Sequence, residues 1–255
     1  MGRMIAIANQ KGGVGKSTTA VNLSAALAQL NKKVLLLDLD PQGNSSSGLG
    51  IDKSKLIAHS YDLLMEEIPA HQVIRPTPMK NLYIIPAGIE LASAEVELVA
   101  KLSREYRLKE AVSSLRTYYD YVFIDCPPSL GLLTINALTA ADSVLIPIQC
   151  EFFALEGVSQ LTNTIHLVQK HLNRGLVIEG ILMTMYDNRI NLAQQVVEDV
   201  RKHFGSLVYQ AVIPRNVRLS EAPSHGLPIS LYDSKSKGAE SYAALAQEVI
   251  QHEHI

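Results

Sequence analysis

Seven short stretches of the chain are apolar almost throughout: residues 4–9, 33–38, 82–86, 121–125, 143–149, 177–185 and 207–213. Strands without polar alternation belong to a parallel sheet buried on both faces. Between them, apolar residues recur at helical spacing over 17–30, 91–118 (with a break near Ser103), 130–141, 155–172 and 191–204. A last helix, 238–255, puts Tyr242, Leu245, Ala246, Val249 and Ile250 on one face, as a docked terminal helix does. The alternation predicts an α/β fold, a mostly parallel twisted sheet with helices on both faces. No internal repeat or low-complexity linker divides the 255 residues, which read as a single domain, 1–255. Segments 41–55 and 215–237 are expected to be loops, long ones for this class, of the kind that carries binding machinery at strand ends.

Composition excludes more than it suggests. The chain is 47% apolar and 19% charged, which rules out a disordered protein. With 23 Lys and Arg against 25 Asp and Glu, the net charge of −2 supplies no global basic field, so any contact with DNA needs a local patch. The two cysteines, Cys126 and Cys150, are too few for a disulfide scaffold and suit a reducing compartment. The first residues lead straight into a strand, and no apolar run is long enough for a bilayer span, so a cytoplasmic protein is expected.

The first strand runs into Gln10-Lys11-Gly12-Gly13-Val14-Gly15-Lys16-Ser17-Thr18, and a helix follows. Strand, glycine-rich loop and helix are the context of a phosphate loop. Glycines let backbone N–H groups point inward at phosphate oxygens, and the helix start adds partial positive charge. Lys16 is placed for the β- and γ-phosphates of ATP and the Ser17 hydroxyl for Mg²⁺. Gln10 stands where the common pattern has its first glycine, and Lys11 is an additional cation. A dinucleotide site is disfavoured, because G-x-G-x-x-G is absent and Lys16-Ser17 would have no role.

Residues 11–18 resemble the deviant Walker A motif of the ParA/MinD superfamily of ATPases. Asp38-Leu39-Asp40-Pro41-Gln42-Gly43-Asn44 looks like its first switch. Phe123-Ile124-Asp125-Cys126-Pro127-Pro128-Ser129 looks like its Walker B strand and second switch, and residues 213–226 resemble its nucleotide-base loop. The resemblance spans essentially the whole chain and is nearest to the short chromosome-partitioning ParA proteins of the Soj type. It implies a single-domain P-loop ATPase with slow turnover, in which Lys11, Gly12, Gly13, Val14, Gly15, Lys16, Ser17 and Thr18 bind nucleotide. Lys11 would reach the partner's phosphates in an ATP-bound homodimer, Asp40 would orient the attacking water, and Asp125 would hold Mg²⁺ together with Ser17. Pro214 and Asn216 would contact the adenine. Read alone, Asp40 before Pro41 is an ordinary turn carboxylate; the loop favours the functional reading.

Relatives with this loop divide by output. A membrane-binding member needs a basic amphipathic tail, whereas 238–255 contains Glu240, Glu248 and Glu253 and no Lys or Arg, so no membrane partner is expected. An iron–sulfur carrier needs paired thiolates, and Cys126 and Cys150 read better as small buried side chains. The DNA reading draws on Arg201, Lys202, Arg215 and Arg218, a run without Asp or Glu from 201 to 218, and on Arg189 upstream. By resemblance, Arg189 and Arg218 contact double-stranded DNA without sequence preference, through guanidinium–phosphate contacts. The expected function is an ATP-dependent DNA-partitioning switch on the nucleoid, released by a ParB-type centromere-binding protein that stimulates hydrolysis. The alternative is a nucleotide-dependent regulator of a partner such as a replication initiator.

Overall fold

The computed structural model describes residues 2–65, 68–151 and 154–252. In chain order the elements are β1 (Arg3–Ile7), α1 (Lys16–Gln29), β2 (Val34–Asp38), α2 (Asn44–Gly48), α3 (Ser60–Met65), α4 (Ala70–Val73), β3 (Arg75–Pro76), β4 (Leu82–Ile85), α5 (Leu91–Glu97) and α6 (Arg107–Val112). There follow β5 (Tyr121–Asp125), α7 (Leu132–Ala140), β6 (Ser143–Gln149), α8 (Ala154–His171), β7 (Val177–Tyr186), α9 (Asn191–Phe204), β8 (Val208–Pro214), α10 (Val217–Glu221), α11 (Ile229–Tyr232) and α12 (Lys237–Gln251). They form one α/β domain around an eight-stranded sheet of order β3-β4-β2-β5-β1-β6-β7-β8. Every pairing is parallel except that of β3 with β4.

The apolar strands do what their pattern predicts. Successive side chains of a strand point to opposite faces, so Met4 and Ala6 enter one core while Ile5 and Ile7 enter the other. Leu35 and Leu37 of β2 divide from Val34 and Leu36 in the same way. One face is covered by α3 to α9 and the other by α1, α10, α11 and α12. At the β8 edge, the α12 residue Glu248 accepts hydrogen bonds from the N–H groups of Gln210 (2.8 Å) and Ala211 (2.7 Å). That acid therefore satisfies an open strand edge, and α12 is a docked helix with Tyr242, Leu245, Ala246 and Val249 buried. The predicted end of that helix, 253–255, lies outside the described residues.

Three expectations need correction. The stretch 91–118 is four short helical pieces, with turns over 98–100 and 113–117 flanking α6. Ser103 sits at φ 50°, and Asn136 of α7 pins the break by donating to Arg104 O (2.8 Å) while accepting from Leu108 N (3.1 Å). The supposed loops 41–55 and 215–237 contain helical turns: α2 and a turn over 53–55 in the first, α10, a turn over 222–225 and α11 in the second. Strand β3, two residues long with a proline, carried no pattern to find.

Candidate functional site

The phosphate loop leaves β1 at the sheet's carboxyl edge. Gly15 at φ 88° and Gly13 at φ 75° take left-handed conformations that favour glycine. Gly12 has no such conformation, and a Cβ there would meet nothing nearer than Pro128 Cβ at 4.0 Å. Neighbouring strands fix the loop. Thr184 of β7 donates to Val14 O (2.8 Å), and Asn9 donates to Pro147 O (2.7 Å) while accepting from Lys11 N (3.0 Å). The Lys16 ammonium is folded onto the loop's own Lys11 carbonyl at 3.1 Å. Burial lowers its pKa, opposed by the charges of Asp125, Cys126 and Asp40. The Lys11 side chain points elsewhere, in a 2.9 Å ion pair with Glu151 just past β6.

Three carboxylates gather beside the loop. Asp38 and Asp125 end β2 and β5 as register partners, both fully buried, and Asp40 follows two residues on. Burial raises Asp38 to about 6, and burial with the charge of Asp38 raises Asp125 to about 7. Asp125 Oδ2 accepts from the Ser45 hydroxyl (2.7 Å), whereas its Oδ1 is buried without a hydrogen-bond partner. Ser17 stands close enough to this carboxylate to pull its pKa back down. A hydroxyl beside an uncompensated carboxylate oxygen, in a cluster crowded with negative charge, is a hard-oxygen setting that fits Mg²⁺. Asp40 is buried, and its Oδ1 accepts from Gln42 N (2.9 Å), so it does serve as a turn carboxylate.

The cavity in front of these groups, about 780 Å³, is lined by Gly13, Gly15, Lys16, Ser17, Thr18 and Asp40 on one side and by Pro214, Asn216 and Val217 on the other. Its far wall is the 215–237 segment, tied to α1 where Asn22 accepts from Ile229 N (2.7 Å). Asn216 caps α10 by accepting from Arg218 N (2.8 Å). Lys11, Gly12, Val14 and Asp125 do not line the cavity. Sequence reasoning passed over Asn22, Ser45, Ser46, Thr184 and Glu151, whose contacts are with residues remote in the chain.

The arginines divide. Arg215 N donates to Tyr186 O (2.9 Å), so the loops after β7 and β8, bearing Arg189, Arg215 and Arg218, leave one edge together. Arg189 is 83% exposed and grips Asp187 with Nε (2.9 Å) and Nη2 (2.6 Å), which holds the Asp187 carboxyl down at about 2. Arg218 pairs with Glu221 (2.9 Å) and Asp233 (3.5 Å). Arg201 and Lys202 lie near the far end of α9, about 15 Å along the helix from its start, and Arg201 Nη2 donates to Gln210 O near the amino end of β8. The run 201–218 is therefore not one patch, because α9 and β8 carry its members to opposite ends of the sheet. Cys126 and Cys150 are buried free thiols; burial raises both pKa values, Cys150 to about 12. No helix among the described residues is long and apolar enough to cross a membrane.

A family model described as an AAA domain matches residues 2–178. The chain is 62% identical over 249 residues to the sporulation initiation inhibitor protein Soj of Bacillus subtilis, with 98% of each covered. It is 56% identical over 251 residues to the chromosome partitioning protein ParA of Myxococcus xanthus, with 98% of this chain and 89% of that protein covered. Among solved structures, cobyrinic acid a,c-diamide synthase from Mycobacterium smegmatis with bound ADP and magnesium aligns at TM-score 0.88 and 39% identity, over 100% of this chain and 96% of that one.

Proposed function

This chain belongs to the ParA/MinD superfamily of ATPases, in its Soj-type branch, and we propose from that premise that it is an ATP-driven switch for DNA partitioning. It is a partitioning ATPase that uses ATP with Mg²⁺. The observation that carries the reading is the joining of phosphate loop, buried carboxylates and cavity at one sheet edge. Nucleotide draws the Lys16 ammonium off the Lys11 carbonyl and onto the β- and γ-phosphates. Ser17 and Asp125 would hold Mg²⁺, and the ion would neutralise phosphate charge. Asp40, at the cavity wall, orients the attacking water in line with the γ-phosphate. Gly13, Val14, Gly15 and Thr18 supply the loop backbone, and Pro214 and Asn216 flank the adenine.

Two copies close face to face around ATP. Lys11 then exchanges Glu151 for the partner's phosphates, and Gly12, open within its own protomer, meets the opposing loop. The dimer doubles the arginine edge of Arg189 and Arg218, which binds DNA phosphates without sequence preference. A ParB-type partner stimulates hydrolysis and releases the protein from the nucleoid. A second reading, control of a partner such as a replication initiator, is favoured by the ion pairs that neutralise Arg189 and Arg218.

A gel shift of the purified protein with ADP, with ATP and without nucleotide tests the proposal. DNA binding only with ATP, whatever the DNA sequence, is the expected result. Equal binding in all three states removes the switch, and ATP dimers that ignore DNA leave the regulator. Asp40→Ala is expected to keep ATP binding, cut turnover by about 100-fold, and stay on DNA. Normal hydrolysis by that variant takes Asp40 out of the reaction.

A further inference from the structure

Helix α2 is only five residues long, yet two of its serines are completely buried and both end on carboxylates. Ser45 donates to Asp125 Oδ2 at 2.7 Å. Ser46 donates to Asp38 Oδ2 twice, from its backbone N (2.8 Å) and its hydroxyl (2.7 Å), and the same hydroxyl oxygen accepts from Ala87 N (2.9 Å), just past β4. These residues begin one turn after Asp40, and Gly43 N closes that turn on Asp40 O at 2.8 Å. A single short segment thus holds the Asp40 turn, the carboxylate pair ending β2 and β5, and the exit of β4.

The two oxygens of Asp125 differ. Oδ2 is occupied by Ser45, while Oδ1 is buried with no partner and the Ser17 hydroxyl stands beside the same carboxylate. A carboxylate can turn about χ2, a broad, roughly two-fold torsion. A hydroxyl bound to one oxygen removes that freedom and fixes which oxygen faces the metal position. Groups that hold a ligand in this way tune the metal as strongly as many ligands do.

We propose that Ser45 is a positioning residue for the magnesium site: by holding Oδ2 it fixes the Asp125 carboxylate so that Oδ1, buried without a partner, is the oxygen left for the metal, and through α2 it ties metal occupancy to the Asp40 turn. Ser46 anchors the helix to Asp38 and has no part in orienting Asp125. The proposal rests on the reading of Ser17 and Asp125 as the Mg²⁺ site, and its test separates the two. Affinity for a fluorescent ADP analogue is measured across a Mg²⁺ titration and in EDTA, for wild type, Ser45→Ala, Ser45→Thr and Asp125→Asn.

Ser45→Ala is expected to raise the Mg²⁺ concentration for half-saturation about tenfold and to leave the EDTA affinity unchanged. Ser45→Thr, which keeps the hydroxyl, returns the midpoint toward wild type. Asp125→Asn removes most of the Mg²⁺ dependence. If Asp125→Asn does so while Ser45→Ala titrates like wild type, Ser45 has no positioning role and the metal site stands. If Asp125→Asn leaves the dependence whole, the metal site itself is misplaced and the proposal falls with it. Should Ser45→Ala fail to fold, Ser45→Thr decides: a hydroxyl-bearing variant that folds but titrates tenfold weaker overturns the proposal.

Discussion

Around β1, β2 and β5 the polar groups at the sheet's carboxyl edge are buried and held by parts of the chain far away in sequence. Asp125 accepts from Ser45, the Ser46 hydroxyl oxygen accepts from Ala87 N, and Asn9 reaches Pro147 across the sheet. Around β7 and β8, along the same edge, the charged groups are exposed and their shortest ion pairs are with neighbours two or three residues off, Arg189 with Asp187 and Arg218 with Glu221. Buried polar groups are costly unless satisfied, so the first region has one arrangement and its vacant partners mark where a ligand must come. Exposed ion pairs contribute little stability, and a phosphate backbone can displace them. In the proposed reading, one region holds the reaction and the other meets DNA and lets it go.

The largest test of that contrast is Lys16→Ala. The ammonium is buried and its contact within the protein is a loop carbonyl, so its loss should spare the fold and weaken ATP binding on the order of 100-fold or more. A fluorescent ATP analogue measures the affinity and circular dichroism the fold. A variant that binds ATP normally means the loop's backbone alone carries the phosphates.

The buried region should also betray its uncompensated charge. Asp38 and Asp125, raised from 3.8 to about 6 and about 7, keep protons in the folded state that the unfolded chain has released. Between about pH 4 and pH 7 the folded state binds more protons, so their contribution to stability falls as pH rises. The depressed acids Asp52 and Asp187, both near 2, titrate below that window. Without nucleotide and in EDTA, the unfolding midpoint should drop by several degrees from about pH 5 to about pH 8. Asp125→Asn should flatten the drop. A midpoint rising through this range would mean the two acids are ionised and compensated.

The same contrast explains what could be read from sequence. The uninterrupted apolar runs located all seven parallel strands, since a strand buried on both faces leaves little else to write. The phosphate loop was legible because Gly13 and Gly15 must adopt φ values that favour glycine. What stayed hidden depends on remote partners. Nothing in Ser45-Ser46 announces the carboxylates of β2 and β5, and nothing in Asn136 announces that it breaks the 91–118 stretch. Arg201 and Arg218 misled for the opposite reason, being near in sequence and separated by α9 and β8.

On the exposed side, Arg189→Glu should weaken ATP-dependent DNA binding about tenfold per dimer and flatten its salt dependence by about two phosphate contacts, one per protomer. Binding compared across a salt series reads both. An unchanged slope would remove Arg189 from the DNA surface and leave Arg218 and Arg215 to carry it.

Asp187→Asn gives the smallest effect and the sharpest one, because its sign differs between the two readings of this edge. Asp187 engages both Nε and Nη2 of Arg189, so the guanidinium must give up a fork of two charge-assisted bonds before it can serve a phosphate. With asparagine, the opposing charge is gone while the Asp187 Oδ1 contact to Arg189 N (3.0 Å) can still be made by the amide oxygen, so the loop keeps its shape. If the pair is a latch that DNA opens, the variant should bind DNA a few-fold more tightly, with ATP turnover unaltered. If Asp187 instead aims Arg189 at the phosphate, affinity should fall toward that of Arg189→Glu. A gain would support the proposed switch and place its adjustable affinity in a local ion pair, where a single side chain would set how readily each turnover frees the protein from DNA.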